Sequence, residues 1–357
     1  EMCIRDSVWI SLKNGSVHMR KKDIRSRKRM KKFISGLLAM LCVIAISGCA
    51  NKETTSTNEK EVTLVLDYLP NTNHTGIYVA QKNGYFKEEG LKVNIIEPGD
   101  NNTSAALVAA GKGQFGVSYQ EDVTYALTAQ EPMPIKAIAT IIQHNTSGFV
   151  ALKDSGITSP KDFEGKTYAG WQSPSEEAVI NAVMKSVNAD PSKLKMVGAD
   201  GNGLSQLNSG IDLLWEFKGW AITKAEMEGM NFNYMPLNEL DERLDYYTPV
   251  IITNNEMLEK DPQTVQKFMN AVKKGYEYAI DNPDASAEIL HEYIPDYDIA
   301  FLKKSQAYLS EEYAKDAQSW GVMKDSVWDG YTDFMYENGL IDKKISADTQ
   351  YTNEFVK

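Results

Sequence analysis

Cysteine and arginine are scarce in this chain. Three cysteines in 357 residues exclude a disulfide framework and a four-cysteine zinc site. The chain has 38 basic residues (Lys and Arg) and 49 acidic residues (Asp and Glu), and residues 1–48 hold eleven of the basic and three of the acidic ones. Residues 49–357 therefore hold 27 basic and 46 acidic residues, which gives this part a net charge near −19. Arg243 is the one arginine of that part. Because binding to phosphates needs clustered basic side chains, this composition excludes a nucleic-acid partner.

Long apolar runs are also missing. The longest, Phe33 to Ile46, has 14 residues, whereas a helix that crosses a bilayer needs about 20. A basic stretch precedes this run, an order typical of a secretory signal. The run leads into Ile46-Ser47-Gly48-Cys49, which resembles the lipobox of bacterial lipoproteins, where the cysteine is acylated. The alternative is a buried N-terminal helix.

The front of the chain is therefore divided into three expected segments. Residues 1–29 show no apolar periodicity, and we interpret them as non-native or upstream sequence. Residues 30–48 are the expected lipoprotein signal peptide, with Met30 as initiator and Met19 as the second option. Residues 49–60 are polar and indicate a flexible tether, anchored through a lipidated Cys49.

Beyond residue 60, strand-like and helix-like patterns alternate. This βαβα order, at 42% hydrophobic residues, predicts sheets covered by helices. The alternation restarts after residue 150, and Val250 to Thr253 resembles a strand that returns to the first domain. We therefore predict an α/β protein with lobe 1 at residues 61–150 and 250–357 and lobe 2 at residues 151–249. From Pro262 onward the pattern is helical, and ligands of such sheets bind at the carboxyl ends of strands.

One motif in this part is rejected. Gly111 to Gly116 fits G-x-G-x-x-G, the dinucleotide fingerprint. That fingerprint needs a strand before it and a helix after it, but here the order is reversed. We interpret it as a helix end and a turn.

An unusual spacing opens the two-lobed part: Leu66-Asp67-Tyr68-Leu69-Pro70-Asn71, His74, Gly76, Tyr78, Ala80, Gly84-Tyr85-Phe86 and Glu89-Gly90-Leu91. It resembles the solute-binding proteins of ABC importers for thiamine pyrimidine precursors, and the fungal pyrimidine synthase belongs to the same superfamily. The resemblance extends over about residues 61–340. It implies a two-lobed class II periplasmic-binding fold that closes by a hinge motion. It also implies a permease with its ATPase as partners, and a monomeric receptor.

The same resemblance raises the alternative of a pyridoxal-phosphate-dependent synthase. In our alignment Ser118 stands where the synthase has its lysine, and Asp122 stands where it has a histidine. A Schiff base needs that lysine. The synthase also has a cysteine-rich run before the return crossing, and residues 244–249 contain no cysteine. We therefore expect a binding protein that is not an enzyme and has no cofactor or metal.

The ligand's chemistry follows from the polar residues. Anionic ligands often recruit an arginine fork. The single arginine of this part disfavours such a fork, although a helix N-terminus can substitute. Aromatic rings and carboxylates dominate the motif positions. These suit a flat aminopyrimidine, stacked between rings and bonded by a carboxylate, of the hydroxymethyl or formylaminomethyl type. Riboflavin, another heteroaromatic molecule and a small taurine-like sulfonate stay open as alternatives.

Thirteen side chains are expected to line the ligand cleft. They are Asp67, Tyr68, Asn71, His74, Tyr119, Trp171, Ser173, Ser175, Glu176, Glu177, Glu216, Trp220 and Tyr247. For the polar residues, the alternative role is that of a helix cap or of an acid at a helix N-terminus. For the aromatic residues, the alternative is packing in the core. Glu216 differs, because a carboxylate between Trp215 and Phe217 costs free energy unless it has a partner.

Overall fold

The computed structural model describes residues 59–99 and 102–357. Ser56–Lys357 forms one compact unit, which we call the two-lobed unit. The expected signal peptide and the lipidation site Cys49 lie outside the described residues. Within the described ranges, no helix combines the length and the apolar character that a membrane crossing requires.

The first sheet has the strand order β2-β1-β3-β10-β4. Its strands are β1 (Lys60–Val65), β2 (Leu91–Ile96), β3 (Phe115–Ser118), β4 (Ile135–Thr140) and β10 (Val250–Asn254). β1 is parallel to β2 and β3, whereas β10 is antiparallel to β3 and β4. The central strands β3 and β10 are buried at every position, as expected for strands that helices cover on both faces.

The second sheet repeats this arrangement with the order β7-β6-β8-β5-β9. Its strands are β5 (Ser147–Leu152), β6 (Thr167–Gly170), β7 (Lys195–Gly198), β8 (Leu213–Phe217) and β9 (Phe232–Pro236). β6 is parallel to β7 and β8, and β5 is antiparallel to β8 and β9. In each sheet the antiparallel strand is therefore the one that enters from the other lobe.

Helices surround both sheets. They are α1 (Thr75–Lys82), α2 (Tyr85–Glu88), α3 (Ser104–Ala109), α4 (Gln120–Thr128), α5 (Pro174–Ser186), α6 (Thr223–Met227), α7 (Leu237–Leu240), α8 (Asn255–Lys260), α9 (Pro262–Asp281), α10 (Pro283–Tyr293), α11 (Ile299–Glu312), α12 (Asp325–Glu337) and α13 (Ala347–Gln350). The predicted two-lobed α/β fold with a helical C-terminal part is confirmed.

The long helix α9 shows why the C-terminal part joins the first lobe. Val265, Phe268, Met269 and Val272 lie on one face and are all buried, as their spacing predicts. Phe268 stacks on Phe115 of β3 with ring centroids 3.7 Å apart. This apolar face therefore covers one side of the first sheet.

The lobe boundaries are where sequence patterns are least informative. β5 begins at Ser147, so the expected boundary between residues 150 and 151 falls inside a strand of the second sheet. Successive residues of this strand are buried on both faces, so its sequence does not alternate between apolar and polar residues. Such a short run gives no periodic signal from which a strand could be predicted. On α12, Tyr331 and Phe334 belong to the apolar cluster of Phe149 and Tyr168 in the second lobe. We propose that lobe 2 starts at Ser147 and includes part of α12.

Candidate functional site

A cavity of about 580 Å³ lies between the two sheets. Ten of the thirteen expected site residues line it: Asp67, Tyr68, Asn71, Tyr119, Trp171, Ser173, Ser175, Glu176, Glu216 and Trp220. They come from the carboxyl ends of strands in both sheets and from the helix N-termini that follow. This is the position at which open α/β sheets bind ligands.

Asp67 follows β1 and is held by two donors. Its Oδ1 is 2.6 Å from Nε2 of His74, and its Oδ2 accepts from the hydroxyl of Tyr119 at 2.8 Å. His74 Nδ1 accepts the backbone N–H of Asn71 at 3.1 Å, so Nε2 carries the proton and donates to Asp67. Burial by itself raises the pKa of Asp67, but His74 and these hydrogen bonds hold it below its ordinary value. Asp67 is therefore an ionised, fixed acceptor.

Two further acids open α4. Glu121 accepts from the hydroxyl of Tyr331 at 3.0 Å, and Asp122 accepts from the hydroxyl of Ser118 at 3.3 Å. Burial raises the pKa of Glu121, and burial together with the charge of Glu121 raises the pKa of Asp122 to about 6. Both carboxylates line the cavity.

Glu176 in the second lobe is occupied by its own turn. Its Oε1 accepts from the Tyr168 hydroxyl at 2.5 Å and from the Trp171 N–H at 3.0 Å, and its Oε2 accepts from the Gln172 N–H at 2.7 Å. Gln172 adopts a left-handed conformation with φ 61°. A Cβ on Gly170 would collide with Oε1 of Glu176, which explains the glycine at the end of β6. Glu176 thus stabilises the loop that carries Trp171.

Glu216 of β8 is the carboxylate without such support. Within the described part of the chain, no side chain donates a hydrogen bond to it, and its flanking residues Trp215 and Phe217 also line the cavity. Burial raises the pKa of Glu216 to about 7, against a small opposing effect of the Phe217 backbone N–H. A ligand that donates hydrogen bonds would compensate for this burial.

Aromatic rings form the entrance and the walls. Tyr68 and Trp171 stand on opposite lobes and are 65% and 60% exposed, far more than most aromatic residues here. Trp171 packs edge-on against Trp215 with centroids 5.8 Å apart. Trp220 packs edge-on against Tyr297 at 5.1 Å. Flat faces are thus available to a planar molecule on both sides of the cavity.

The cavity has a strongly acidic lining. Its carboxylates are Asp67, Glu121, Asp122, Glu176 and Glu216, and the described lining includes no lysine, arginine or histidine. Among the described residues, no group of three or more metal-ligating side chains is placed to hold a metal ion. The lining therefore favours a ligand with N–H groups or positive charge over an anion.

Three expected site residues lie outside the lining. His74 is fully buried behind Asp67. Glu177 is exposed on the outer face of α5, one residue from Glu176, because adjacent helical residues point about 100° apart. Tyr247 is buried, and its hydroxyl accepts the N–H of Lys324 at 2.9 Å. We leave these three out of the proposed ligand contacts.

Capping and lining are combined at two positions. Asn71 Oδ1 accepts the N–H of Asn73 at 2.9 Å, and Ser173 Oγ accepts the N–H of Glu176 at 3.2 Å. Both are N-caps, and both border the cavity. Asn71 and Ser173 therefore cap helices, as the alternative interpretation expected, and they also line the cavity.

Sequence reasoning left out several lining residues. They include Glu121, Asp122, Thr146, Trp215, Tyr246 and Tyr297. A signal existed for Glu121 and Asp122, because acids in the first turn after β3 must lie near the carboxyl end of that strand. Tyr297 comes from the segment between α10 and α11, and nothing in its local sequence indicates that it reaches the cleft.

The comparisons agree with this architecture. The family model described as NMT1/THI5 like matches residues 71–286. A formylaminopyrimidine-binding protein of Halalkalibacterium halodurans is 27% identical over 259 residues, which cover 71% of this chain and 77% of the relative. A 4-amino-5-hydroxymethyl-2-methylpyrimidine phosphate synthase of Legionella pneumophila is 24% identical over 310 residues, which cover 84% of this chain and 94% of the relative.

Among solved structures, the periplasmic aliphatic sulphonate binding protein of Escherichia coli superposes with a TM-score of 0.64 at 12% identity. It covers 82% of this chain and 91% of its own. At this identity the likeness shows the fold alone, which is that of periplasmic binding proteins. The matched region contains strands β2 to β10, and the chain belongs to the NMT1/THI5-like family.

Proposed function

We propose that this chain is the extracytoplasmic solute-binding receptor of an ABC importer. Its proposed ligand is a thiamine-related pyrimidine of the hydroxymethyl or formylaminomethyl type. The receptor captures this ligand between its lobes, delivers it to the permease and its ATPase, and acts as a monomer without catalysis. A relative named for formylaminopyrimidine binding supports this choice.

The observation that carries the proposal is Glu216 in its aromatic surroundings. An aminopyrimidine presents an exocyclic N–H next to a ring nitrogen, and a carboxyl group can bond both at once. Glu216 has a raised pKa, so it can share a proton with the ring nitrogen near neutral pH. Trp171 and Tyr68 provide the flat faces that a heteroaromatic ring stacks on.

The charge of the lining weighs against the sulfonate alternative. A sulfonate needs positive groups or several N–H donors, whereas five carboxylates surround this cavity. Riboflavin and other neutral heteroaromatic molecules carry no negative charge for these carboxylates to repel. They remain the alternative ligands, and their larger or differently placed hydrogen-bonding groups can be compared directly in a binding assay.

The synthase alternative is disfavoured by the residue at β3. Ser118 stands at the position of the synthase lysine in our alignment, and its hydroxyl donates to Asp122. Serine cannot form the Schiff base that holds pyridoxal phosphate. Incubation of the protein with pyridoxal phosphate should therefore give no aldimine absorbance, and a stable aldimine band would favour the enzyme.

Native mass spectrometry tests the ligand first. The full-length protein, extracted from its membrane and purified from rich medium, should carry a small molecule with the mass of an aminopyrimidine. Isothermal titration with 4-amino-5-hydroxymethyl-2-methylpyrimidine, its formylaminomethyl analogue, riboflavin and taurine then ranks the candidates. If neither pyrimidine binds while riboflavin or taurine does, the pyrimidine assignment is wrong and the receptor assignment stands. If none binds and no mass is retained, both fail.

Anchoring through Cys49 is a separate part of the proposal. The residues Ile46-Ser47-Gly48-Cys49 and the polar tether after them support it. Wild-type protein expressed in a bacterium should fractionate with membranes and incorporate labelled palmitate, and Cys49→Ser should lose both properties. A matched Cys42→Ser variant should keep them. Equal labelling of wild type and Cys49→Ser would refute lipidation at this residue.

A further inference from the structure

Three chain segments meet beside the cavity, and His144 lies at their junction. The first segment, residues 141–146, leads from β4 to β5, and the second, residues 245–249, leads from a short 3-10 helix ending at Leu244 back to β10. The third, residues 313–324, joins α11 to α12. Any change in the angle between the two sheets must pass through these segments. We call them the hinge segments.

The side chain of His144 connects all three hinge segments. Its Nδ1 is 2.6 Å from Oδ2 of Asp245 on the second segment, and its Nε2 is 3.6 Å from Oδ2 of Asp316 on the third. Both ring nitrogens thus face carboxylates, an arrangement that suits the imidazolium form, in which both nitrogens are donors. The His144 and Asp245 side chains are each 26% exposed, so water and protons reach the pair.

Asp245 is tied to the first segment at a second point. Its Oδ1 accepts the backbone N–H of Asn145 at 2.8 Å, while the Asn145 amide donates to the carbonyl of Leu244 at 2.9 Å. Of these three hydrogen bonds, only the one between His144 and Asp245 involves a side chain that titrates near neutral pH.

The charges around His144 come from every packed segment. Asp245 and Asp316 pair with it directly, Glu312 at the end of α11 adds negative charge, and Lys315 opposes them. The hydrogen bond with Asp245 is the largest influence, and the sum raises the pKa of His144 above its ordinary value despite burial. The His144 ring therefore keeps its proton to a higher pH than a free imidazole does.

We propose that His144 is a pH-sensitive latch of the interlobe hinge. As an imidazolium it binds the second and third hinge segments to the first and limits the relative motion of the lobes. When it loses its proton, the attraction to Asp316 disappears and the bond to Asp245 loses its ion-pair component, so the hinge loosens. The ligand does not take part, because His144 is not among the residues that line the cavity.

Spin labels on the two lobes test the latch. Residues 56–357 contain no cysteine, and Lys87 of α2 and Lys185 of α5 are exposed. Lys87→Cys and Lys185→Cys in the two-lobed unit place one label on each lobe. The distribution of distances between the labels should broaden or shift when the pH rises from 5.5 to 8.5. The same pair in His144→Gln should give one distribution at both values.

His291→Gln is the matched control, since His291 lies on α10, away from the hinge, and it should behave as the wild type. An unchanged wild-type distribution between the two pH values would overturn the proposal, and so would a shift that persists in His144→Gln. Independently of any His144 variant, the NMR titration midpoint of the His144 ring should lie above 6.5 in the wild type and fall in Asp245→Asn. A midpoint at or below 6.5 would also contradict the latch.

Discussion

The two lobes have the same sheet order and each holds a hydrogen-bonded acid at the equivalent strand, but the second lobe adds Glu216. Asp67 follows β1 and Glu176 follows β6, and these strands occupy equivalent places in the two sheets. Both acids are saturated by donors from their own lobe. Glu216, in the second lobe, is half-buried and has no described side-chain donor. Asp67 and Glu176 contribute to the walls of the cavity, and we propose that Glu216 binds the ligand.

This difference separates stability from binding. A carboxylate with two or three donors stabilises the fold, since removing it leaves buried donors unpaired. A buried carboxylate without donors lowers stability when it ionises and gains its compensation only in the complex. Variants of the two kinds of acid should therefore affect different measurements.

The largest effect is expected for Glu176→Ala. It leaves the Tyr168 hydroxyl and two backbone N–H groups without their acceptor, which should lower the free energy of unfolding by about 3 kcal/mol. Urea denaturation measures it. The adjacent Glu177→Ala, on an exposed side chain, should change stability by less than about 0.5 kcal/mol. Equal losses in both variants would contradict the role of Glu176.

Glu216→Gln should weaken ligand binding with little loss of stability. Loss of a charge-assisted bond is worth about 2 kcal/mol, or about thirty-fold in Kd for 4-amino-5-hydroxymethyl-2-methylpyrimidine. Titration calorimetry measures the change. Glu228→Gln, an exposed acid after α6, is the control and should bind as the wild type. Unchanged affinity in Glu216→Gln would remove this residue from the ligand site.

Glu216 also predicts the direction of a pH effect on the free protein. Its pKa in the folded protein, about 7, lies above the ordinary value of 4.5. Its contribution to stability is therefore fully present below pH 4.5 and is lost as the pH rises through 7. Between pH 5 and 8 the melting temperature of Glu216→Gln should fall less than that of the wild type. Parallel curves would show that Glu216 titrates normally.

His74 tests the saturated acid of the first lobe. His74→Phe keeps a buried ring but removes the donor to Asp67, and we expect a loss of about 1.5 kcal/mol in the free energy of unfolding. His74→Gln, which keeps an N–H donor, should recover part of it. Because the pKa of Asp67 is lowered, its stabilisation is present above pH 3.8 and is lost as the pH falls. His74→Phe should then unfold at a higher pH during acid titration.

The smallest effect is expected at the cavity entrance. Trp171→Ala removes an exposed ring and should raise Kd about five-fold, the equivalent of about 1 kcal/mol, without measurable loss of stability. Tyr68→Ala on the opposite lobe should act similarly. Tyr336→Ala, which replaces an exposed tyrosine of α12 outside the lining, is the control. Unchanged affinity in Trp171→Ala and Tyr68→Ala, or an equal loss in the control, would refute stacking at the entrance.

Much of the fold was predictable because its signals are local. Val250 to Thr253 lies in strand β10, and Pro262–Asp281 forms helix α9, as their patterns predict. β5 was not predicted, since a short buried strand has no alternation. The family resemblance, together with the carboxyl ends of strands, then indicated ten of the lining residues.

The sequence by itself determined the acidic charge, the alternation of strands and helices, and the residues that end each strand. Only the tertiary structure decided that Glu176 is saturated while Glu216 is not, and that His74 lies behind Asp67. It also joined His144 to Asp245, 101 residues apart. Periodicity and propensity act between neighbours, whereas burial and hydrogen-bond partners depend on which distant segments the fold brings together.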